Sequence, residues 1–500
     1  MKCILYLLAC YLCGLVAAAQ PTKYTNKKNL IFLVSDGTGA TSFSFARTTK
    51  QTQDYSDTTD YFKNATYYDV LSIDDYVIGN MRTRSSSNLV TDSAAAATSF
   101  FCGIKTYNGA MSVDDDGTPH GTLFEAAKLA DYKTGIVSTT FVQDATIGAP
   151  ASHALSRKYY DLIASQMLGM DHPMGPVLDV ILGSGKAYMY NKNVTAYGVK
   201  GARADDRDII SEAIHDGWQY VGNVTSFEEL DEGKNVSLPL LGLFGAKNFP
   251  YEIDRNPKEY PSLKQMAITA LNSLTEATKD SEQGFLLLIE SARTDHAAHG
   301  NDAATHYHEL AAHDEVWSAV VDYASQLDDE TLVVSTSDHE CGGLTLAKQL
   351  AGEKQAVYDW YPEFLLKANN SGEYCGNLYS KYNGTDNSTY IKTLLTDYMG
   401  VAATNITDDD IQKVLKAPSV AVALGQVASD KAHVGWSTTG HSGADVPIYA
   451  YANNRNAYEE AVANIGANVE NIELADFFAY YLDVDLSKAT EKVADIKVKP

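Results

Sequence analysis

The chain has 500 residues, of which 45% are hydrophobic, so it can build a large core and is not globally disordered. It carries 64 acidic and 39 basic residues, which gives a net charge of −25. This balance excludes a general nucleic-acid-binding protein, because such proteins need a basic surface to neutralise phosphates.

The first predicted element is a secretory signal peptide at residues 1–19. Lys2 gives it a basic start, residues 3–16 are apolar, and residues 17–19 offer a small-residue cleavage site. The apolar stretch is short for a membrane span, so we expect no transmembrane segment in the mature chain, and an uncleaved anchor is the lesser alternative. The last residues, 495–500, contain no apolar tail and predict no glycosylphosphatidylinositol anchor.

Eight Asn-x-Ser/Thr sequons follow the signal and predict a glycoprotein with many surface loops. We expect the protein to be secreted, with a vacuole or a lysosome-like lumen as the alternative destination. The sequons begin at Asn64, Asn193, Asn223, Asn235, Asn369, Asn383, Asn387 and Asn405.

Four short apolar runs alternate with helical patterns along the chain. This alternation predicts an α/β fold with a mostly parallel central sheet and helices on both faces. The apolar runs cover residues 30–34, 135–138, 285–289 and 331–334, and the main helical stretches cover residues 122–132, 263–278 and 306–324.

Polar side chains follow each of these four runs. In open α/β sheets, ligands bind beyond the carboxyl ends of the strands, so we expect these side chains to form one site at one edge of the sheet. They are Asp36 after the first run, Asp144 and Thr146 after the second, Glu290 and Asp295 after the third, and Asp338 and His339 after the fourth.

Ser93 directly follows Asp92 and opens a run of four alanines at residues 94–97. If a helix begins here, its free N–H groups and its dipole favour a phosphate bound next to Ser93. The alternative is that Asp92 or Ser93 only caps a buried, alanine-rich helix.

Asp295 and His299 are four residues apart, so a helix would place them on one face with spacing suitable for zinc. Glu290, at the end of its strand, suits a harder cation such as magnesium. His441 lies in a loop of small residues and His296 follows Asp295 directly. The alternative for any one of these residues is a charged, solvated helix start.

The other histidines are not expected to bind a metal. His306, His308 and His313 lie on the predicted amphipathic helix, and we expect them at its surface. The remaining five have no recognisable partner pattern. They are His120, His153, His172, His215 and His433.

Residues 20–500 are predicted to form a single catalytic domain with a surface insertion at about residues 344–431, which holds four of the eight sequons. Three cysteines remain outside the signal, too few for a disulfide scaffold. Cys102 is expected to be buried and free, because it ends the alanine-rich run. If any pair forms, we expect Cys341 to pair with Cys375.

These residues together resemble the alkaline phosphatases. Residues 90–98 match the serine signature of that family at every position, and the likeness extends from about residue 29 to residue 453. Residues 83–87 and 300–304 are most similar to the fungal branch. The resemblance implies a homodimer that hydrolyses small phosphate monoesters to inorganic phosphate through a phosphoserine.

The resemblance also implies two zinc ions and one magnesium ion as cofactors, and a role for each candidate residue. Ser93 would be the nucleophile, with Asp92 beside it, and Arg157 would hold the phosphate oxygens as a bidentate fork. The metal ligands would be Asp295, His299 and His441 for the first zinc, Asp338 and His339 for the second zinc, Asp36 between the second zinc and the magnesium, and Thr146, Glu290 and Asp144 for the magnesium.

One pair of residues departs from the common patterns of the family. Asp144 resembles the bacterial form of the magnesium site, whereas His296 resembles the animal form of a position near it, so the identity of the third metal stays open. Two alternative functions also stay open: a phosphodiesterase of the same superfamily and a catalytically silent secreted glycoprotein. The three magnesium-side residues favour the monoesterase, and the presence of every metal ligand argues against the silent protein.

Overall fold

The computed structural model describes residues 27–55 and 69–500. The predicted signal peptide and Asn64 lie outside the described residues. Within them, every helix is too short or too polar to cross a bilayer. The other seven sequon asparagines are all exposed to solvent.

The described residues contain a ten-stranded sheet with the order β16-β2-β15-β10-β1-β9-β3-β4-β8-β7. Three further pairs of two-residue strands lie outside it. The strands are β1 (Lys28–Ser35), β2 (Val77–Arg82), β3 (Lys133–Phe141), β4 (Val180–Ser184), β5 (Thr195–Ala196), β6 (Val199–Lys200), β7 (Gln219–Val221), β8 (Leu240–Leu243), β9 (Phe285–Ser291), β10 (Glu330–Thr336), β11 (Glu340–Cys341), β12 (Leu344–Thr345), β13 (Gly435–Trp436), β14 (His441–Ser442), β15 (Val446–Ala452) and β16 (Ala467–Glu470).

The four predicted apolar runs form the neighbouring strands β10, β1, β9 and β3 at the centre of the sheet. All of their pairings are parallel, which confirms the predicted fold class. β15 is the exception, because it runs antiparallel to both β10 and β2. Parallel neighbours end at the same edge, so the residues that follow β1, β3, β9 and β10 come close together.

Helices cover both faces of this sheet. Leu30, Phe32 and Val34 of β1 pack into the core on one face, and Ile31 and Leu33 pack into the core on the other. The helices are α1 (Ala40–Asp54), α2 (Ser93–Cys102), α3 (Leu123–Leu129), α4 (Ala145–Gly148), α5 (Tyr160–Met167), α6 (Ile209–His215), α7 (Val224–Glu228), α8 (Leu263–Thr278), α9 (Arg293–His299), α10 (Ala303–Gln326), α11 (Pro362–Leu365), α12 (Gly372–Ser380), α13 (Asn387–Thr393), α14 (Asp408–Lys416), α15 (Val420–Lys431), α16 (Arg455–Ile465), α17 (Glu473–Leu482) and α18 (Leu486–Val493).

Helices α11 to α15 all lie between β12 and β13. Most of them surround a small hydrophobic cluster of their own, which includes Cys375, Leu394 and Leu424. β12 and β13 pair with each other, with Thr345 opposite Gly435. The segment between β12 and β13 therefore begins and ends at adjacent positions in the structure.

The predicted surface position of the α10 histidines is wrong. His306 and His313 are fully buried and His308 is half-buried. His306 and His313 are seven residues apart, so they share one face of the helix, and that face packs on the sheet and on α1. Their ring nitrogens contact hydroxyl groups, with His306 Nε2 3.0 Å from Ser42 Oγ and His313 Nδ1 2.8 Å from Ser291 Oγ.

The predicted pairing of Cys341 with Cys375 is also wrong. Cys102, Cys341 and Cys375 are all free and buried, so the prediction for Cys102 is right. Cys375 belongs to the cluster of the inserted helices, whereas Cys341 lies on β11 at the edge of the central sheet. The two thiols therefore lie in different parts of the structure and do not form a disulfide.

Candidate metal centre and active site

The side chains expected at the carboxyl ends of the strands do lie at one edge of the sheet. Four of them are buried carboxylates, which is costly unless cations or hydrogen-bond donors compensate. They are Asp36, Glu290, Asp295 and Asp338.

His299 and His441 face each other in one group of side chains, here called the first cluster. Their Nε2 atoms are 3.2 Å apart, and each Nδ1 lies within 2.8 Å of a backbone carbonyl, of Thr439 for His299 and of Thr91 for His441. A carbonyl only accepts, so each Nδ1 carries a proton and a neutral ring has its lone pair on Nε2. Two lone pairs at this distance repel unless a cation or a proton lies between them.

Asp295 completes this first cluster. Its Oδ2 lies 3.2 Å from His299 Nε2, and its Oδ1 lies 3.7 Å from His441 Nε2. Burial lowers the pKa of His441 to about 4. Burial opposes the charge of His299 as well, but there Asp295 outweighs it and raises the pKa to about 9. A carboxylate with two imidazoles that donate Nδ1–H to carbonyls is the ligand arrangement typical of zinc.

Asp36, Asp338 and His339 form the second cluster. His339 Nε2 lies 3.1 Å from Asp338 Oδ2 and 3.8 Å from Asp36 Oδ1. Neither of these carboxylate oxygens, nor Asp295 Oδ1, has a hydrogen bond from any described residue, although all three are buried. Burial, followed by the charges of Asp338 and Asp295, raises the pKa of Asp36 well above its usual value. These unsatisfied oxygens fit a cation between them.

Ser93 is the first residue of α2 and is almost completely buried. Asp92 precedes the helix and its Oδ1 accepts a hydrogen bond from the Ala95 backbone N–H, so Asp92 is the N-cap. Ser93 Oγ lies 3.2 Å from His339 Nε2. The serine hydroxyl therefore touches the second cluster at a helix N-terminus, where the helix dipole favours an anion.

A third group of oxygen atoms lies beside the second cluster. Glu290 Oε2 accepts a hydrogen bond of 2.6 Å from Ser138 Oγ, and burial raises the pKa of Glu290 to about 8. Thr146 Oγ1 is buried and lies beside the Glu290 carboxyl group. Asp144 is the N-cap of α4, which follows β3. The oxygen atoms of this third group therefore come from β3, from the segment directly after it, and from the neighbouring strand β9.

Arg157 connects the serine with the third group. Its Nη1 donates to Asp92 Oδ2 at 3.2 Å, and its Nη2 donates to Asp144 Oδ1 at 2.9 Å. Two carboxylates therefore fix the direction of the guanidinium group close to Ser93.

His296 follows Asp295 on α9 and is held by Arg293, whose Nη1 lies 2.9 Å from His296 Nδ1. Burial, followed by the Arg293 charge, lowers the pKa of His296 to about 4. Arg293 also stacks on the ring of Tyr251 at 3.7 Å and donates to Glu373 of α12 at 3.0 Å. The inserted helices thus contact the edge of the site.

Two residues of this centre were missed at the sequence level. Cys341 lies among the ligand atoms of the first cluster, and its position two residues after His339 was the available signal. Gly37 has a φ of +69°, and a Cβ there would lie 2.7 Å from Asp295 Oδ1. That glycine allows the turn after β1 to pass against the first cluster.

A mostly parallel α/β sheet with a serine at a helix N-terminus, in contact with a carboxylate–histidine cluster, defines a metal-dependent hydrolase. A family model described as alkaline phosphatase matches residues 27–484. The repressible alkaline phosphatase of Saccharomyces cerevisiae is 40% identical over 506 residues, which cover 97% of this chain and 87% of the relative. The alkaline phosphatase of Schizosaccharomyces pombe is 36% identical, covering 96% and 86%.

The solved structures agree with these relatives. The cold-active alkaline phosphatase from Shewanella sp. matches with a TM-score of 0.71 at 26% identity, covering 91% of this chain and 99% of that one. The chain belongs to the alkaline phosphatase family, and it is a phosphomonoester hydrolase. The resemblance found in the sequence is thereby confirmed.

Proposed function

We propose that this chain hydrolyses phosphate monoesters through a phosphoserine formed on Ser93, at a site for two zinc ions and one magnesium ion. The observation that carries the proposal is the 3.2 Å contact between Ser93 Oγ and His339 Nε2. The same hydroxyl group lies at the N-terminus of α2, and His339 in turn lies against the buried carboxylates of Asp36 and Asp338.

Each cation has its own set of protein ligands in this proposal. When bound, the cations act as Lewis acids that lower the pKa of an oxygen nucleophile and stabilise charge on phosphate oxygens. Asp144 supports the magnesium directly or through its waters. The ligands are Asp295, His299 and His441 for the first zinc, Asp338 and His339 for the second zinc, Asp36 shared between the second zinc and the magnesium, and Thr146 and Glu290 for the magnesium.

The reaction then proceeds as two displacements at phosphorus. Ser93 Oγ forms a bond to phosphorus in line with the bond to the leaving alcohol, which breaks. Water subsequently attacks the phosphoserine, releases inorganic phosphate and restores the Ser93 hydroxyl. Both displacements require the Ser93 hydroxyl group, so removing that group prevents both the formation and the hydrolysis of the phosphoserine.

Arg157 and the N-terminus of α2 stabilise the non-bridging oxygens during both steps. The guanidinium group offers parallel N–H donors, and Asp92 and Asp144 already hold its direction. A pre-oriented donor loses little entropy on binding the phosphoryl group. His296, oriented by Arg293, lies beside the same site.

We further propose one catalytic domain over residues 20–500 with an insertion at about residues 344–431, assembled as a homodimer and exported to the cell exterior or to a vacuole-like lumen. The exposure of all seven described sequon asparagines supports glycosylation. The separate hydrophobic cluster of the inserted helices supports the insertion.

The first test is the hydrolysis of p-nitrophenyl phosphate by the purified chain across the pH range, before chelation, after chelation, and after zinc and magnesium are restored. We expect activity that increases toward alkaline pH, disappears with the chelator and returns with both metals. No activity in any metal state would favour the silent glycoprotein. Preferential hydrolysis of bis-p-nitrophenyl phosphate would favour the phosphodiesterase.

Ser93→Ala tests the nucleophile. Turnover should fall by at least about 10³-fold, because only the electrostatic part of catalysis remains, while the zinc content stays unchanged. Ser86→Ala, at an exposed serine of a nearby loop, is the matched control and should remain active. Full activity of Ser93→Ala would contradict the assignment.

A further inference from the structure

Cys341 lies opposite a proposed zinc ligand. It is 1% exposed and free. In the antiparallel pair of β11 and β14, Cys341 is directly opposite His441. Directly opposed residues of such a pair place their side chains on the same face. The thiol and the imidazole therefore project to the same side of this small ribbon.

The sulfur atom joins the first cluster in space. Cys341 Sγ and one ligand atom from each of Asp295, His299 and His441 all lie within 4.8 Å of one another. Asp295 is 5% exposed and its Oδ1 has no hydrogen bond from a described residue. The thiol lies beside the Asp295 carboxyl group, and its hydrogen bond to the Gly440 carbonyl is a long contact of 3.6 Å, which is a weak restraint on a sulfur atom.

We propose that Cys341 is a fourth protein ligand of the cation held by Asp295, His299 and His441. This inference rests on the proposed metal centre. On binding, the sulfur–metal bond forms as the thiol proton passes to solvent, because a thiolate is the coordinating form. Some catalytic zinc sites expand to five ligands, so a fourth protein ligand would still leave room for a phosphate oxygen at the same ion.

Sulfur ligation also changes the metal selectivity of the first site. Thiolate is a soft ligand that favours zinc over magnesium and manganese. The first site should therefore hold zinc more tightly than a centre built from Asp295 and two histidines alone.

The test exchanges zinc for cobalt in the folded protein and records the near-ultraviolet spectrum. We expect a sulfur-to-cobalt charge-transfer band in the wild type and its loss in Cys341→Ser. Cys102→Ser and Cys375→Ser are the matched controls, because both thiols are also free and buried, and both variants should keep the band. In chelator competition, Cys341→Ser should bind zinc at least about 10-fold more weakly, because losing a ligand costs no less than losing a residue that only orients a ligand.

A second measurement needs no variant. X-ray absorption at the zinc edge of the wild type should show one sulfur neighbour at about 2.3 Å. Only nitrogen and oxygen neighbours, or a cobalt band retained in Cys341→Ser, would overturn the inference. An active enzyme without sulfur ligation would refute this inference alone, whereas an enzyme inactive in every metal state would refute the proposed function.

Discussion

Arg157 is a site residue that the family resemblance implied and that the pattern of strand ends alone did not predict. Its guanidinium group lies between Asp92 and Asp144, which come from the starts of two different helices. The strand ends identify most of the buried carboxylates, because those residues directly follow apolar runs. They do not identify Arg157 or Cys341, which reach the site through contacts between distant segments.

Arg157→Ala should weaken inhibition by inorganic phosphate by about 10- to 100-fold, since hydrogen bonds to a charged partner contribute about 1.5–3 kcal/mol. Measurable turnover should remain, because the metal ligands are unchanged. The inhibition constant for phosphate measures the effect. Arg157→Lys keeps the positive charge but loses the two parallel N–H donors of the guanidinium group. Its inhibition constant for phosphate should therefore lie between those of the wild type and Arg157→Ala.

The exposed neighbour Lys158 provides the control for Arg157. Lys158→Ala removes one positive charge from the same loop and should leave phosphate inhibition close to that of the wild type. If Arg157→Ala also leaves it unchanged, Arg157 does not contact the phosphate.

At the scale of elements, the turn after β1 packs closely against the metal centre, at Asp295. Gly37→Ala should lower the zinc content, because the new Cβ would push against Asp295. Gly175→Ala is the control: Gly175 has the same φ of +69°, and a Cβ there would have no other atom within 4 Å. Both variants carry the same backbone strain, of about 1–2 kcal/mol.

Zinc per chain, measured after dialysis, separates the two glycine variants. Equal zinc loss in both would mean that backbone strain, and not contact with Asp295, controls the site.

The long elements were predictable and the short ones were not. Residues 263–278 form α8 with the predicted bounds, because the apolar spacing and the Ser262–Gln265 capping box define both its face and its start. β11 and β14 have two residues each, too few for any periodicity. Those short strands nevertheless place Cys341 opposite His441.

At the scale of the whole molecule, a second buried ionic cluster lies outside the metal centre. Glu125 Oε1 accepts hydrogen bonds of 2.8 Å from His153 Nε2 and from His172 Nε2. Glu125 Oε2 accepts from the Thr122 backbone N–H and so closes the capping box of α3. No sequence pattern predicted this cluster, because its three side chains come from three separate segments.

The pKa values in this cluster define its pH range. Burial opposes the charge of Glu125, but His153 and then His172 outweigh it and lower the pKa of Glu125 to about 2. Burial likewise opposes the charge of His153, and Glu125 outweighs it and raises that pKa. The glutamate contribution to stability is full above about pH 4.3 and is lost as pH falls through about 2; the histidine contribution is full below about pH 6.5 and is lost as pH rises through its raised pKa.

Glu125→Gln should therefore lower the free energy of unfolding by about 3–5 kcal/mol near neutral pH, because it leaves a buried imidazolium without its partner. The difference from the wild type should shrink at alkaline pH, where His153 loses its proton. Urea unfolding at several pH values measures it. Glu491→Gln, at an exposed site, should change little, and a Glu125 effect independent of pH would contradict the ion pair.

The pairing of β12 with β13 has a consequence for how the molecule can vary. Thr345 and Gly435 are held opposite each other, so the polypeptide between them begins and ends at one place. The closure entropy of such a segment grows slowly with its length, by only about 0.6 kcal/mol for each doubling, so its length can change where contacts with the site, such as that of Arg293 with Glu373, are kept. His339 and His441 stand outside these two anchor points. Relatives can therefore differ in the length of this segment while the two halves of the metal centre keep their relative positions.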